Sequence, residues 1–200
     1  METLRSQGLR PLVETCPHYL TIDASQEKGF LGKVNPPVRF QRDIAALWAA
    51  LQGGLIDTIG SDHVAHAKQN KGKDSIWSSL PGLPGSGTVL PVLLSEGVNK
   101  GRLTLQRLAE LACANPARIY GLPQKGTIMV GADADLVLVD LGLEKTVTSE
   151  ALASATGYSL YEGWRLKGWP TLTMLRGRVV ARGGKIVASQ PHGAFLRRQG

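Results

Sequence analysis

Two hundred residues, 42% hydrophobic and 20% charged, have an ordinary globular composition that argues against disorder and suits one domain or a domain with a small appendage. The polar start METLRSQGLR and the lack of an apolar run near the roughly 18–20 residues of a bilayer-crossing helix argue against a secretory leader and a membrane partner. The formal charge of +7 is concentrated late, because Arg165, Lys167, Arg176, Arg178, Arg182, Lys185, Arg197 and Arg198 follow Glu162 with no Asp or Glu among them.

In chain order, residues 2–7 read as the last turns of a helix stopped by Gly8. Residues 11–15 read as a short strand ended by Cys16-Pro17. Ile44, Leu47, Trp48 and Leu51 recur at helical spacing, and Gly53-Gly54 closes that helix. Residues 55–60 form the next strand, apolar enough for a buried parallel one. Strand, helix, strand is the rhythm of a βα barrel or a doubly wound sheet. A long Gly/Pro/Ser-rich loop then covers residues 63–87. Two helices are predicted at 88–98 and 104–113, the second capped by Thr104 with Leu105, Leu108, Ala109 and Ala112 inward. Asn115-Pro116 opens one more turn, ending at Gly121. After Gly126 the texture changes to strands at 127–130, 136–139, 171–176 and 178–181, with Gly183-Gly184 as a hairpin turn. The expected division is 1–123, α/β, and 124–200, mostly β.

The late basic residues alternate with apolar strand residues or fall in the last positions, without an RNP or zinc-finger pattern. A solvated edge or a surface for an acidic partner is therefore expected, not nucleic acid. Cys16 and Cys113 lack CxxC spacing and read as reduced thiols of a cytoplasmic protein.

Ser61-Asp62-His63-Val64-Ala65-His66 stands at the C-terminal end of a predicted strand, where barrels carry their active sites. An Asp there serves as a metal ligand, a general base or a cap, and one Asp with two His supplies part of a zinc site. His18 also follows a strand, as a hydrogen-bonded structural residue or as a group facing the same mouth. Asn35-Pro36-Pro37 is stiffened by two prolines, which would hold the Asn35 main chain against a ligand or simply make a turn. Gly82-Leu-Pro-Gly85-Ser-Gly87 lacks phosphate-loop spacing but brings backbone groups close to a polar ligand.

Together, Thr15-Cys16-Pro17-His18-Tyr19-Leu20, Asn35-Pro36-Pro37-Val38-Arg39, Gly60-Ser61-Asp62-His63, Gly82-Leu83-Pro84-Gly85, Asn115-Pro116-Ala117-Arg118 and Gly131-Ala132-Asp133-Ala134-Asp135-Leu136 resemble the cyclic-amidase branch of the amidohydrolase superfamily. That branch holds hydantoinases, dihydropyrimidinases, allantoinases and dihydroorotases. Tyr158-Ser-Leu-Tyr161-Glu-Gly-Trp164 leans toward hydantoinases and allantoinases, whereas Asn35-Pro36-Pro37 and His63-Val-Ala-His66-Ala67 lean toward dihydroorotases. The resemblance implies the C-terminal portion of a (β/α)8 barrel plus the C-terminal strands of a small β-sandwich.

It further implies hydrolysis of a cyclic amide such as a hydantoin or dihydropyrimidine by water activated on two zinc ions. The family's metal ligands are a His-x-His, a carboxylated Lys, two further His and a final Asp. Only that Asp maps here, onto Asp62, as metal ligand and catalytic base; His63 and His18 carry orienting or uncertain roles. Asn35, His66, Gly82, Pro84 and Gly85 map to substrate binding. With the other ligands missing, the chain alone is expected to be inactive, or to be a non-catalytic assembly subunit. Uncovered barrel edges imply a homo-oligomer or a complementary N-terminal chain.

Overall fold

The computed structural model describes residues 2–26, 28–72 and 75–199. Helix α1 (Glu2–Ser6) leads to β1 (Glu14–Thr15), short helix α2 (Pro17–Thr21) and a 3-10 turn at Gly29–Gly32. Helix α3 (Gln41–Gln52) precedes β2 (Thr58–Ile59), which lies parallel to β1 with Glu14 opposite Thr58 and Thr15 opposite Ile59. Both strands are shorter than the expected 11–15 and 55–60. The pairing nevertheless extends past them, because Asp57 N donates to Val13 O at 2.8 Å and Gly60 N to Thr15 O at 3.0 Å.

Helix α3 forms for the reason its spacing foretold: Ile44, Trp48 and Leu51 are buried on one face, and Gly53 N closes the last turn on Ala49 O at 2.8 Å. Trp48 Nε1 donates to Leu20 O at 2.8 Å, which satisfies the indole inside the core and ties α2 to α3. Ile56, Ile59, Leu93, Leu94, Leu103, Leu108 and Leu111 complete this first core.

Helix α4 (Val89–Val92) continues without a break into a π-type stretch, Leu93–Val98. Helix α5 (Leu105–Ala109) likewise runs through a π stretch, Glu110–Ala114, into α6 (Asn115–Ile119). Thr104 caps α5 as expected, with its hydroxyl accepting from Arg107 N at 3.1 Å. The inward face of this helix differs from the expectation. Leu108 and Leu111 are buried, while Leu105 is exposed. Arg107 reaches Leu51 O and Ile56 O at 3.3 and 2.9 Å, which rotates the helix so that its guanidinium faces the end of α3.

The remaining chain is an antiparallel meander, β3 (Leu136–Thr146), β4 (Arg165–Leu175), β5 (Arg178–Arg182) and β6 (Lys185–Ile186), in the order β3-β4-β5-β6. Gly183-Gly184 makes the last hairpin, as foreseen. The strand expected at 127–130 is not formed. Among the described residues nothing pairs with it, and Ile128 and Val130 stay 87% and 100% exposed. Apolar, β-prone residues make a strand only when another strand supplies the ladder.

A second core joins residues from both sides of the division expected near residue 123. Ile22, Val34, Leu83 and Val92 pack with Val147, Leu160, Tyr161, Leu166 and Trp169. Gly168 allows this contact: a Cβ there would stand 2.7 Å from Leu94 Cβ, so β4 lies directly on the helix at 89–98. Lys167 N also donates to Ser95 Oγ at 3.2 Å, inside the π stretch.

Candidate active site

Because β1 and β2 end side by side, Cys16-Pro17-His18 and Ser61-Asp62-His63 emerge at the same edge of the pair. Asp62 is exposed and has a φ of 45°, a left-handed conformation that Asp tolerates better than most residues. Strained backbone of this kind concentrates at functional sites. Tyr19 donates its hydroxyl to Pro36 O at 2.7 Å, fastening the exposed Asn35-Pro36 segment beside this edge.

The Gly82–Gly85 loop lies against the β2 tip. Leu83 pairs with His63 as a parallel bridge, and Val64 N donates to Leu83 O at 2.8 Å. Gly85 N and Ser86 N donate to His63 Nδ1 at 3.0 and 3.3 Å. Two amide donors make Nδ1 the acceptor, so a neutral His63 carries its proton on Nε2. A Cβ at Gly85 would stand 2.5 Å from Ser61 O, so this close approach requires glycine. Beyond it opens a cavity of about 310 Å³, lined by His63, Pro84, Gly85, Thr88, Leu152 and Tyr158. Its size falls near the lower end of small-molecule sites. Asp62 is not among its lining residues.

His18 is 4% exposed at the start of α2, and its Nε2 has no hydrogen-bond partner among the described residues. It lines a small cavity of about 10 Å³ with Ser61, Pro84 and Gly85, space for one water at most. Burial lowers the His18 pKa to about 4, against the opposing pull of Asp62, so the ring is neutral at physiological pH. Burial, then the charges of Asp62 and Glu14, push the Cys16 thiol up to about 12, which removes it as a nucleophile. Burial, with Cys16 and Asp62, likewise raises Tyr19 to about 12, keeping its hydroxyl a donor to Pro36.

The structure thus gathers Asp62, His63, His18, Gly82, Pro84 and Gly85 at one edge, with Asn35 fastened nearby. His66 is half-buried in the following loop, and among the described residues no hydrogen bond joins it to the others. Tyr158, Thr88 and Leu152 line the cavity without having been singled out in the sequence. Tyr158 alone carried a signal, as the first residue of the 158–164 string. Among the described residues no three His, Cys, Asp or Glu side chains come together as a metal site. They supply one candidate ligand, Asp62, and so do not fit a metal ion by themselves. Among them, too, no helix is long and apolar enough to cross a membrane.

Parallel strands that present an aspartate and histidines at their C-terminal ends, under a glycine-proline loop, give the chain an α/β arrangement, and in βα barrels that end of the strands carries the active site. The chain belongs to the amidohydrolase family, whose model, described as "Amidohydrolase family", matches residues 14–180. It is 42% identical to an L-hydantoinase of Paenarthrobacter aurescens over 200 residues, 98% of this chain and 44% of that relative. A D-hydantoinase of Ralstonia pickettii is 38% identical over 204 residues, again 98% of this chain and 44% of the relative. The solved L-hydantoinase (dihydropyrimidinase) from Arthrobacter aurescens superposes with a TM-score of 0.89 at 42% identity, covering 93% of this chain and 42% of that one. The chain spans less than half the length of the relatives it matches.

Proposed function

We propose that the protein containing this chain hydrolyses the C–N bond of a small cyclic amide, with hydantoin or dihydropyrimidine-type rings as the substrate class. The observation carrying this reading is the joint geometry of the β2 tip and the Gly82–Gly85 loop, in a chain 42% identical to an L-hydantoinase. Dihydroorotate and allantoin are the alternative rings, because the Asn35-Pro36-Pro37 and His63–Ala67 strings resemble dihydroorotases and the 158–164 string resembles allantoinases as well. The barrel and sandwich portions, divided near residue 123, belong to the same reading.

Asp62 is the proposed base. Its exposed carboxylate takes a proton from the attacking water and returns it to the departing ring nitrogen. His63 is held by two amides and orients the loop, while Asn35, Gly82, Pro84 and Gly85 present backbone to the ring amide. His66 is retained as a substrate contact by resemblance alone. A pair of zinc ions is the proposed cofactor and would supply Lewis acidity. Asp62 would be their one ligand from the described residues, the others coming from elsewhere in the protein or from a partner chain. A non-catalytic assembly subunit is the second reading, favoured by the lack of a three-residue metal cluster among the described residues.

A chimera separates the two readings. These 200 residues replace the matching 44% of the L-hydantoinase relative, and ring opening of hydantoin, dihydrouracil, allantoin and dihydroorotate is followed with zinc and with a chelator. Chelator-sensitive turnover of at least one ring is expected. A folded, zinc-loaded chimera inert toward all four would overturn the enzymatic reading.

A further inference from the structure

Lys71 closes the 3-10 turn Lys68–Lys71 and has no exposed surface. Lysine almost never disappears from solvent completely without a partner charge. Its Nζ instead donates to three backbone carbonyls: Lys33 O at 2.9 Å, Leu80 O at 2.8 Å and Gly82 O at 2.7 Å. An ammonium has three donors, and these acceptors use all of them.

The acceptors belong to two separate stretches of chain. Lys33 lies two residues before Asn35, and Gly82 opens the Gly82–Gly85 loop. Gly82 N also donates to Lys33 O at 3.0 Å, and the Tyr158 hydroxyl stands 3.5 Å from Gly82 O. A buried methionine would fill the same volume without desolvating a charge. What the ammonium adds is three directional bonds that hold one stretch at a set distance from the other.

We propose that Lys71 is a positioning residue, whose ammonium sets the spacing between the Asn35 segment and the Gly82–Gly85 segment. That these segments face a ring amide rests on the function proposed above; the clamp itself does not. Two titratable groups face it: Lys33, whose own Nζ donates to Ile76 O at 2.8 Å, and Tyr158. Burial, then the charge of Lys33, lowers the Lys71 pKa to about 8. A neutral amine has two donors, so one of the three carbonyls would then lose its bond.

Amide exchange by NMR on this chain tests the assignment, comparing wild type with Lys71→Met at neutral pH. Exchange should speed up by about ten- to a hundredfold at Gly82 and Gly85, whose amides donate to Lys33 O and His63 Nδ1, the scale expected from lost charge-assisted bonds. The amides of Leu51 and Leu111 should hold their rates. In wild type, protection at the first set, corrected for base catalysis, should fall as the pH rises through about 8, and Lys71→Met should show no such step. Lys33→Met should move the wild-type step to higher pH, because a repelling charge is gone. Unchanged exchange at these two amides, or an equal rise everywhere, would overturn the proposal. Should Lys71→Met not fold, the wild-type profile decides, since protection that stays flat across that pH range also overturns it. Exchange needs no turnover, so an inert protein would count against the cyclic-amide reading alone.

Discussion

Acidification of the metal-free chain should remove stability through His18, and the size of the loss follows from its burial. The imidazole is 4% exposed and its Nε2 has no partner among the described residues, so a proton there would charge a group cut off from water. In the unfolded chain the ring takes up a proton near pH 6.5, whereas in the fold it does so only near pH 4. Between those values the unfolded state binds more protons, so stability falls as the pH falls and levels off below the folded value. At about 1.4 kcal/mol per pH unit, the shift corresponds to about 3 kcal/mol. That is a large share of the total stability of a small domain. Urea unfolding followed by tryptophan fluorescence, with EDTA present and at steps from about pH 7.5 to 4, measures it. His18→Gln cannot titrate, so its profile should lack this component and run flatter than wild type by that amount. Superimposable profiles, or an NMR titration placing the His18 pKa near 6.5, would refute the reasoning.

Three further outcomes are expected. Gly85→Ala should cost about 1–3 kcal/mol, the usual penalty for overpacking, because its Cβ would stand 2.5 Å from Ser61 O; an unchanged thermal midpoint would contradict this. In the chimera, Asp62→Asn should keep the circular dichroism of the parent, since Asn tolerates the 45° φ, while the rate drops by about 10²–10⁴. His63→Ala should cost less in the same assay, and full activity of Asp62→Asn would remove Asp62 from the chemistry. The chain alone should self-associate, because Ile128, Val130, Leu138 and Phe195 leave apolar surface exposed; light scattering that gives a monodisperse 21.4 kDa species would count against it.

Much of the fold was legible in the residues because the relevant physics is local. The stripe of Ile44, Trp48 and Leu51 specifies α3, Thr104 caps α5, and Gly183-Gly184 turns the last hairpin. The location of Asp62 just past a strand was also readable, since it follows from the punctuation after a short apolar run. Tertiary structure decided the rest, because it depended on partners distant in sequence. Residues 127–130 have strand chemistry, but no neighbouring strand among the described residues completes a ladder. The face of α5 turned when Arg107 found carbonyls at and just past the end of α3, a pairing across about fifty residues that no periodicity encodes. Lys71 sits in the long Gly/Pro/Ser-rich loop, and only the folded chain brings three carbonyls from two segments around its ammonium. Local sequence sets which backbone conformations are favoured; the burial of a charge is settled only where separate segments meet.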